Sequence, residues 1–293
     1  MRKNSLLKWA IPILLVISPN LSFAQRPGLE IPVVTPGPGW KACPRCINAA
    51  HFAEDRKQAN VDTHPFDPHD LSGVWGGGDQ GVRSLDLKDR PPLTPEGEKL
   101  NQLLQAKVNP KGVDTMNSKD PVMVMCDPLG WPRSFGLNYG FEFIQTPNRV
   151  FEFFEWSHTW RTIWTDGRKL PDDPPVERFL GYSIGKWDGD TFVVESSGYD
   201  ERALIGSAPI FPLFPHTNEM RVVEHYKRLD YGKLQASLTI IDPKVFANDW
   251  TTSGTLELAP NVEIGEYFCV PSESINFTER QTIPSNGGPE KRQ

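Results

Sequence analysis

The chain has 293 residues and a formal net charge of −6 at pH 7, with its basic residues spread along the sequence. Nucleic-acid and anionic-membrane binding proteins usually carry a basic stripe, so this charge pattern argues against both kinds of partner. The 28 prolines, 24 glycines and 9 tryptophans combine many turns with many aromatic residues. Such a composition favours an all-β domain over a helix bundle.

The first 24 residues predict an export signal. Three basic residues precede a short apolar stretch over 10–17, and Ser22 and Ala24 supply the small side chains that a signal peptidase reads. A membrane-spanning helix needs about 20 apolar residues, whereas this stretch is shorter and contains Pro12. We therefore expect residues 1–24 to be removed. The mature protein would be periplasmic or secreted, with no membrane insertion after cleavage.

Residues 25–69 predict an extended N-terminal arm that carries the pair Cys43 and Cys46. An even number of cysteines in an exported chain favours disulfides, and we expect Cys43 to pair with Cys46 and Cys126 with Cys269. Redox, haem and zinc roles for the first pair are the alternatives. They are weaker because the pair lacks a thioredoxin-like context, a histidine after Cys46 and a second pair at suitable spacing.

Two short helices are predicted before the main run of strands. One could cover residues 47–58. The other begins at Thr94, which suits an N-cap, with Pro95 at the first helical position and Glu96 in the first turn. Leucines follow at helical spacing, so this helix would pack an apolar stripe against the β domain.

From residue 140 onward, strand signals alternate with turn signals. Asp188-Gly189, for example, is a strong two-residue hairpin signal between two apolar segments. Together with one earlier strand, the predicted strands cover residues 71–75, 141–145, 150–156, 159–165, 179–187, 191–196, 220–229, 233–241, 251–258 and 262–270.

Sequential strands without intervening helices indicate a meander, and closing a meander into a barrel removes its two exposed edges. We therefore predict a mainly β fold, an antiparallel up-and-down barrel of about 8–10 strands with one or two short flanking helices. The barrel would occupy residues 70–275, and residues 276–293 would form a disordered tail. A β-sandwich is the alternative, with the loops over 170–176 and 203–217 as its candidate crossovers.

Several sequence motifs resemble those of a known group. Asp70-Leu71-Ser72-Gly73-Val74-Trp75 resembles the Gly-x-Trp first strand of calycin and lipocalin-like barrels. Longer strings such as Pro92-Leu93-Thr94-Pro95-Glu96-Gly97, Cys126-Asp127-Pro128 and Trp164-Thr165-Asp166-Gly167-Arg168 resemble a large family of exported bacterial proteins without an established activity. The resemblance implies a periplasmic, calycin-like barrel and carries over no catalytic residues.

Carboxylates on otherwise apolar strand faces are the candidates for chemistry inside such a barrel. Glu224 alternates with Met220, Val222 and Tyr226. By the same alternation, Glu155 would share an inward face with Phe151 and Phe153, and Glu195 with Thr191 and Val193. Burial would raise the pKa of such acids unless a cation compensates, and the possible partners are Arg161, Arg221 and Arg228. A purely structural Glu–Arg pair is the alternative.

Histidines are scarce, and two of them adjoin candidate site segments. His158 lies beside two tryptophans, and His216 follows a proline-rich loop. A metal site would require these histidines and a carboxylate to converge from distant strands, and no local ligand motif is present. We therefore expect no bound metal and no organic cofactor.

Three functional hypotheses follow. The first is a small apolar or aromatic ligand held in the barrel cavity by Phe151, Phe153, Trp160, Tyr182, Glu195 and Tyr226. The second is a lyase, isomerase or hydrolase that uses Glu155, His158, Arg161, His216 and Glu224 as acid, base and anion-binding groups. The third is an interaction or envelope-maintenance protein, which needs no pocket. Barrels host both carriers and enzymes, so the fold does not rank these hypotheses.

Overall fold

The computed structural model describes residues 49–76, 90–104, 120–136, 140–172, 174, 176–206, 213–260, 262–265 and 267–270. All of them belong to one compact unit. The predicted signal peptide, the Cys43–Cys46 pair and the tail over 276–293 lie outside the described residues. Within the described part of the chain, no helix is long and apolar enough to cross a membrane.

The secondary structure is mainly β, as predicted. In chain order the elements are α1 (Ala49–Gln58), β1 (Gly73–Trp75), α2 (Pro95–Leu104), α3 (Pro121–Met125), a 3₁₀ turn (Arg133–Gly136), β2 (Phe141–Thr146), β3 (Arg149–Phe154), β4 (Trp160–Trp164), β5 (Tyr182–Asp188), β6 (Thr191–Ser197), β7 (Arg221–Asp230), β8 (Lys233–Ile241) and β9 (Trp250–Glu257). The flanking helices α1 and α2 have 10 residues each, and α3 is a single turn of 5 residues.

The nine strands form one sheet in sequence order, which confirms the predicted meander. The sheet curls until its two edges meet. Trp75 on β1 forms an antiparallel bridge with Leu258, which follows β9, and the Ala259 N–H donates to the Val74 carbonyl at 2.8 Å. The barrel is therefore nearly closed, with β1 and the end of β9 joined over a short stretch.

One strand pair departs from the predicted antiparallel pattern. β4 and β5 are parallel, and they are joined only through the pairs Ile163–Ser183 and Trp164–Ile184. Parallel neighbours need a connection of a dozen or more residues, and the segment over 165–181 provides one. The β4–β5 contact, with two paired positions, is much shorter than the antiparallel contacts among the longer strands, and only the β1–β2 contact, with three, is similarly short.

The last predicted strand, over 262–270, is not a strand. Its described residues are irregular apart from one bridge between Tyr267 and Trp156. The residues at the end of β9 instead contact β1, through the Trp75–Leu258 bridge and the bond from the Gly76 N–H to the Glu257 carbonyl. The segment ends at Cys269, whose disulfide with Cys126 (S–S 2.06 Å) confirms the predicted pairing.

The barrel interior is filled by its own side chains. Trp75 from β1, Phe143 from β2 and Tyr226 from β7 have no exposed surface. Trp131 and Phe135, from the segment before β2, pack among them, with the Phe135 ring 5.5 Å from Trp131 and 6.3 Å from Tyr226. A barrel of this size either packs its interior or encloses one small ligand, and this part of it is a packed core.

Helix α2 is anchored by its predicted N-cap. The Thr94 hydroxyl accepts from the Gly97 N–H at 2.9 Å and donates to the Lys244 carbonyl. Gly97 itself lies against the Val245 carbonyl, where a β-carbon would come within 2.2 Å. The cap therefore joins the start of α2 to the segment that follows β8.

We expect Thr94→Ala to lower the free energy of unfolding by about 1 kcal/mol, because an N-cap hydroxyl and its link to residue 244 are lost together. Urea denaturation monitored by tryptophan fluorescence measures the change. Thr94→Ser is the matched control, since serine caps helices as well as threonine does and keeps both hydrogen bonds. Equal stability of the alanine and serine variants would contradict this role for Thr94.

Candidate functional site

Strand β7 faces the interior in the predicted register. Met220 and, on the strand itself, Val222, Glu224 and Tyr226 are fully buried, whereas Arg221 alternates with them on the exposed side. The alternation of charged and apolar residues leaves only one face of β7 that can enter a core. The sequence therefore identified Glu224 correctly as a buried carboxylate.

Strands β3 and β6 face the other way from the prediction. The buried residues are Val150, Glu152 and Phe154 on β3, and Phe192, Val194 and Ser196 on β6. The inward orientation expected for Phe151, Phe153 and Glu155, and for Thr191, Val193 and Glu195, is therefore wrong. A shift of one residue moves every side chain of a strand to the opposite face, and β3 is apolar on both faces.

Glu152, Arg161, Glu224 and Tyr226 form an interior cluster that joins three strands. Arg161 on β4 donates from Nε to the Glu152 Oε2 at 2.6 Å. Its two terminal nitrogens donate to both carboxylate oxygens of Glu224 at 2.7 and 2.5 Å. The Tyr226 hydroxyl donates to the Glu224 Oε2 at 2.8 Å. The predicted partnership between Arg161 and Glu224 is thus confirmed, and it is bidentate.

The interior cluster contains two carboxyl groups and one guanidinium, so Arg161 cannot neutralise both acids. Burial raises the pKa of Glu152 to about 7; the Arg161 charge opposes this rise and the Glu224 charge adds to it. Desolvation lowers the pKa of Arg161, but the two carboxylates outweigh it and hold that pKa well above its usual value. Glu152 is therefore the group on which the cluster holds a proton near neutral pH.

The interior cluster is closed to solvent. Glu152 and Glu224 are 0% exposed and Arg161 is 4% exposed. The Arg161 guanidinium lies 3.6 Å from the centre of the Trp131 ring, which covers it. Glu152 Oε1 is buried and has no hydrogen-bond partner among the described residues. The cluster can store and release a proton, but in this conformation it presents no atom to an external substrate.

His216 is buried apart from the interior cluster. Its Nδ1 donates to the Thr217 carbonyl at 3.0 Å, and its ring lies 6.2 Å from Tyr199. Burial lowers the pKa of His216, a shift that the Thr217 carbonyl and nearby carboxylates partly oppose. Its Nε2 is buried and has no hydrogen-bond partner within the part of the chain that the structure describes. The neutral imidazole therefore fits this position.

Glu155 and His158 lie outside the barrel, at the hairpin between β3 and β4. Glu155 accepts from the Gly140 N–H at 3.3 Å, and His158 Nε2 donates to the Gly265 carbonyl at 3.1 Å. Ser157 and His158, in the four-residue loop over 155–158, both adopt positive φ angles, of 55° and 48°. The five predicted catalytic residues thus occupy three separate places.

Three of the predicted ligand-binding residues, Phe151, Phe153 and Trp160, lie together on the outer surface instead. The outward side chains of β2, β3 and β4 form three rows across the sheet, given by the strand register: Glu142–Phe153–Trp160, Ile144–Phe151–Thr162 and Thr146–Arg149–Trp164. We call Phe151, Phe153, Trp160 and Trp164 the aromatic platform. Tyr182 lies beside it, whereas Glu195 is farther along the sheet, 3.7 Å from Lys186.

The aromatic platform is open at one end. The rings of Phe151 and Phe153 are 5.9 Å apart, and those of Phe153 and Trp160 are 6.4 Å apart and inclined by 31°. Trp160 is 58% exposed. An exposed row of rings on the outside of the barrel is unusual for a surface that contacts only water, and aromatic patches of this kind mark binding surfaces.

Arginines cover the other end of the aromatic platform. The guanidinium groups of Arg149 and Arg168 lie 4.6 and 3.7 Å from the Trp164 ring centre. Arg168 is held there by Asp166 at 2.5 Å and by the Tyr182 hydroxyl at 2.9 Å. Trp164 therefore already has cation–π partners from the chain itself, and the free aromatic surface is that of Phe153 and Trp160.

A groove of about 300 Å³ adjoins the open end of the aromatic platform. It follows the closure of the barrel between β1 and the end of β9, and its lining includes Val74, Glu142, Arg228 and Leu258. Glu142 therefore belongs both to the groove and to the first row of the outer face. Burial raises the pKa of its carboxyl group.

Sequence reasoning missed Glu152, Glu142 and Trp164. A signal for Glu152 was present: a β3–β4 hairpin with an even number of loop residues puts Arg161 on the same face as Glu152 and Phe154, and the observed register pairs Arg161 with Glu152. Because opposed residues share a face, the inward assignment of Arg161 implied an inward Glu152. Glu142 and Trp164 had no comparable signal, since their importance depends on the curvature of the sheet and on the arginines around it.

No three His, Cys, Asp or Glu side chains are placed as metal ligands among the residues that the structure describes. In comparisons with known proteins, no family model, no curated protein and no solved structure matches the chain. The functional argument therefore rests on the geometry of the interior cluster and of the aromatic platform.

Proposed function

We propose that the protein is a binding module whose recognition surface is the aromatic platform, and that its ligand is a small molecule with a flat apolar or aromatic face. The observation that carries the proposal is the row formed by Phe153 and the 58% exposed Trp160, which no other described ring covers from outside. A planar ligand would stack on these rings and bury apolar surface on both sides.

Binding is favoured over catalysis because the candidate catalytic residues are dispersed. Glu224 and Arg161 are enclosed in the interior cluster, His216 is buried elsewhere, and Glu155 and His158 are engaged at the outer hairpin. A general acid must come within hydrogen-bond reach of the atom that it protonates. The exposed rings need no rearrangement to meet a ligand.

We also propose that the protein acts outside the cytoplasm, as an exported calycin-like barrel. The predicted signal peptide and the motif resemblance to exported proteins support this location. The Cys126–Cys269 disulfide adds support, since such bonds persist mainly in oxidising compartments. A ligand of this protein would then be a molecule that reaches the periplasm or the cell exterior.

Quinoline, a neutral two-ring molecule, is a suitable probe for the aromatic platform. We expect it to perturb the Trp160 indole N–H resonance in ¹H–¹⁵N NMR spectra, with that resonance assigned by its absence in Trp160→Phe. Trp160→Ala should weaken binding by about five- to tenfold, because one aromatic stacking partner contributes roughly 1 kcal/mol beyond its buried area.

Leu229→Ala is the control for this experiment. Leu229 is also an exposed apolar side chain, at 45%, but it lies on β7, three strands from β4. Its loss should leave quinoline affinity unchanged. The proposal fails if quinoline binds equally well to Trp160→Ala and wild type, or if no platform resonance responds to it.

A further inference from the structure

Glu142 is a carboxylate without a partner at the open end of the aromatic platform. Among the described residues it has no hydrogen bond and no ion pair, and burial alone accounts for the rise in its pKa. Two other acids on the outer surface are paired, Glu195 with Lys186 and Asp166 with Arg168. The partial desolvation of Glu142 is therefore not offset by any cation in the described part of the chain.

The row that contains Glu142 also contains the free aromatic surface. Glu142 pairs with Phe153 in the β2–β3 register, and Phe153 pairs with Trp160 in the β3–β4 register. Adjacent strands are about 4.8 Å apart, so Glu142 and Trp160 are separated by roughly 10 Å of backbone with Phe153 between them. This span matches a molecule of two fused rings that carries its charge at one end.

The surrounding charges favour a cation at this end. Arg149 lies two rows away, which at about 3.4 Å per residue along a strand is roughly 13 Å, beyond the screening length of about 8 Å at physiological salt. In the adjoining groove, Arg228 donates to the carbonyls of Asp70 and Tyr231 and lies 3.6 Å from the Asp70 carboxylate. The chain as a whole carries a net charge of −6.

We propose that the first row of the outer face, Glu142, Phe153 and Trp160, is a site for a small organic cation, such as an aromatic or alkyl ammonium ion. The Glu142 carboxylate faces the positive charge, and the rings of Phe153 and Trp160 contact the flat or methylated body of the ligand through cation–π and apolar contacts. This inference rests on the proposed function and narrows its ligand to one charge class.

The test compares two probes of nearly the same shape, 1-methylquinolinium, which is a permanent cation, and quinoline, which is neutral near pH 7.5. We expect wild type to bind the cation at least about threefold more tightly, and we expect Glu142→Gln to reduce that affinity by roughly three- to fivefold, as a partly exposed charge pair provides. The same substitution should change quinoline affinity by less than about twofold.

Glu195→Gln is the matched control, because it also removes one outer-surface carboxylate but leaves the first row intact. A second measurement uses the wild-type protein alone. Raising the salt concentration should weaken the binding of 1-methylquinolinium but not that of quinoline. If both probes bind with equal affinity and Glu142→Gln affects neither, the cation site is overturned while the aromatic platform stands. If neither probe contacts Trp160, both proposals are overturned.

Discussion

Replacing Arg161 by methionine is expected to destabilise the folded protein by about 3–5 kcal/mol near neutral pH. Arg161 is the only side chain that donates to both Glu152 and Glu224 within the described residues. Its removal leaves two buried carboxyl groups that neither water nor a cation can reach. Methionine fills a similar volume beside Trp131, so the loss reflects charge rather than a cavity.

The control removes the two buried acids instead of restoring the arginine. In the triple variant Arg161→Met, Glu152→Gln, Glu224→Gln, the uncompensated acids are gone, and most of the lost stability should return. Urea denaturation of the single and triple variants measures the difference. A single variant that loses less than about 1 kcal/mol would mean that the interior cluster contributes little beyond its packing.

Glu152→Gln is expected to remove a pH dependence of stability rather than to lower stability at every pH. Glu152 has a pKa of about 7 in the folded protein, raised by burial from 4.5. Between these two values the folded state holds a proton that the unfolded state has released. The stabilisation contributed by the proton on Glu152 should therefore be fully present below about pH 4.5 and be lost as pH rises to about 7, by about 1.4 kcal/mol per pH unit and up to about 3 kcal/mol in total.

The measurement is the difference in unfolding free energy between wild type and Glu152→Gln near pH 5 and near pH 8. Groups common to both proteins, including His216, cancel in this difference. Glutamine keeps an oxygen that accepts from Arg161 Nε, so the variant should be relatively more stable at the higher pH. Glu195→Gln, on the outer surface, should show no such trend. A parallel pH profile for wild type and Glu152→Gln would contradict a proton on Glu152.

The sequence predicted the β architecture well where its signals were local. Asp188-Gly189 marks the β5–β6 hairpin, and β7 alternates charged and apolar residues so clearly that only one face could be buried. Thr94 and Pro95 defined the start of α2. Each of these predictions depended on a few neighbouring residues and on a turn or cap with known geometry.

The sequence did not predict features that depend on distant parts of the chain. The parallel β4–β5 pair and the Trp75–Leu258 bridge, which joins the two ends of the sheet, are both contacts between residues far apart in the sequence. The orientation of β3 was ambiguous because Phe151 and Phe153 alternate with Val150 and Phe154, so hydrophobicity did not distinguish its faces. That ambiguity placed the predicted ligand-binding aromatics inside the barrel instead of outside.

The short β4–β5 contact divides the sheet into two curved parts, β1–β4 and β5–β9. Few backbone hydrogen bonds connect these parts, either between β4 and β5 or between β1 and the end of β9. Arg161 and Glu152 belong to the first part, and Glu224 and Tyr226 to the second. The ion pair between Arg161 and Glu224 thus crosses the barrel interior and connects the two parts of the sheet, between which there are few main-chain hydrogen bonds. The cohesion of this barrel is shared between its sheet and one ionic crosslink at its centre.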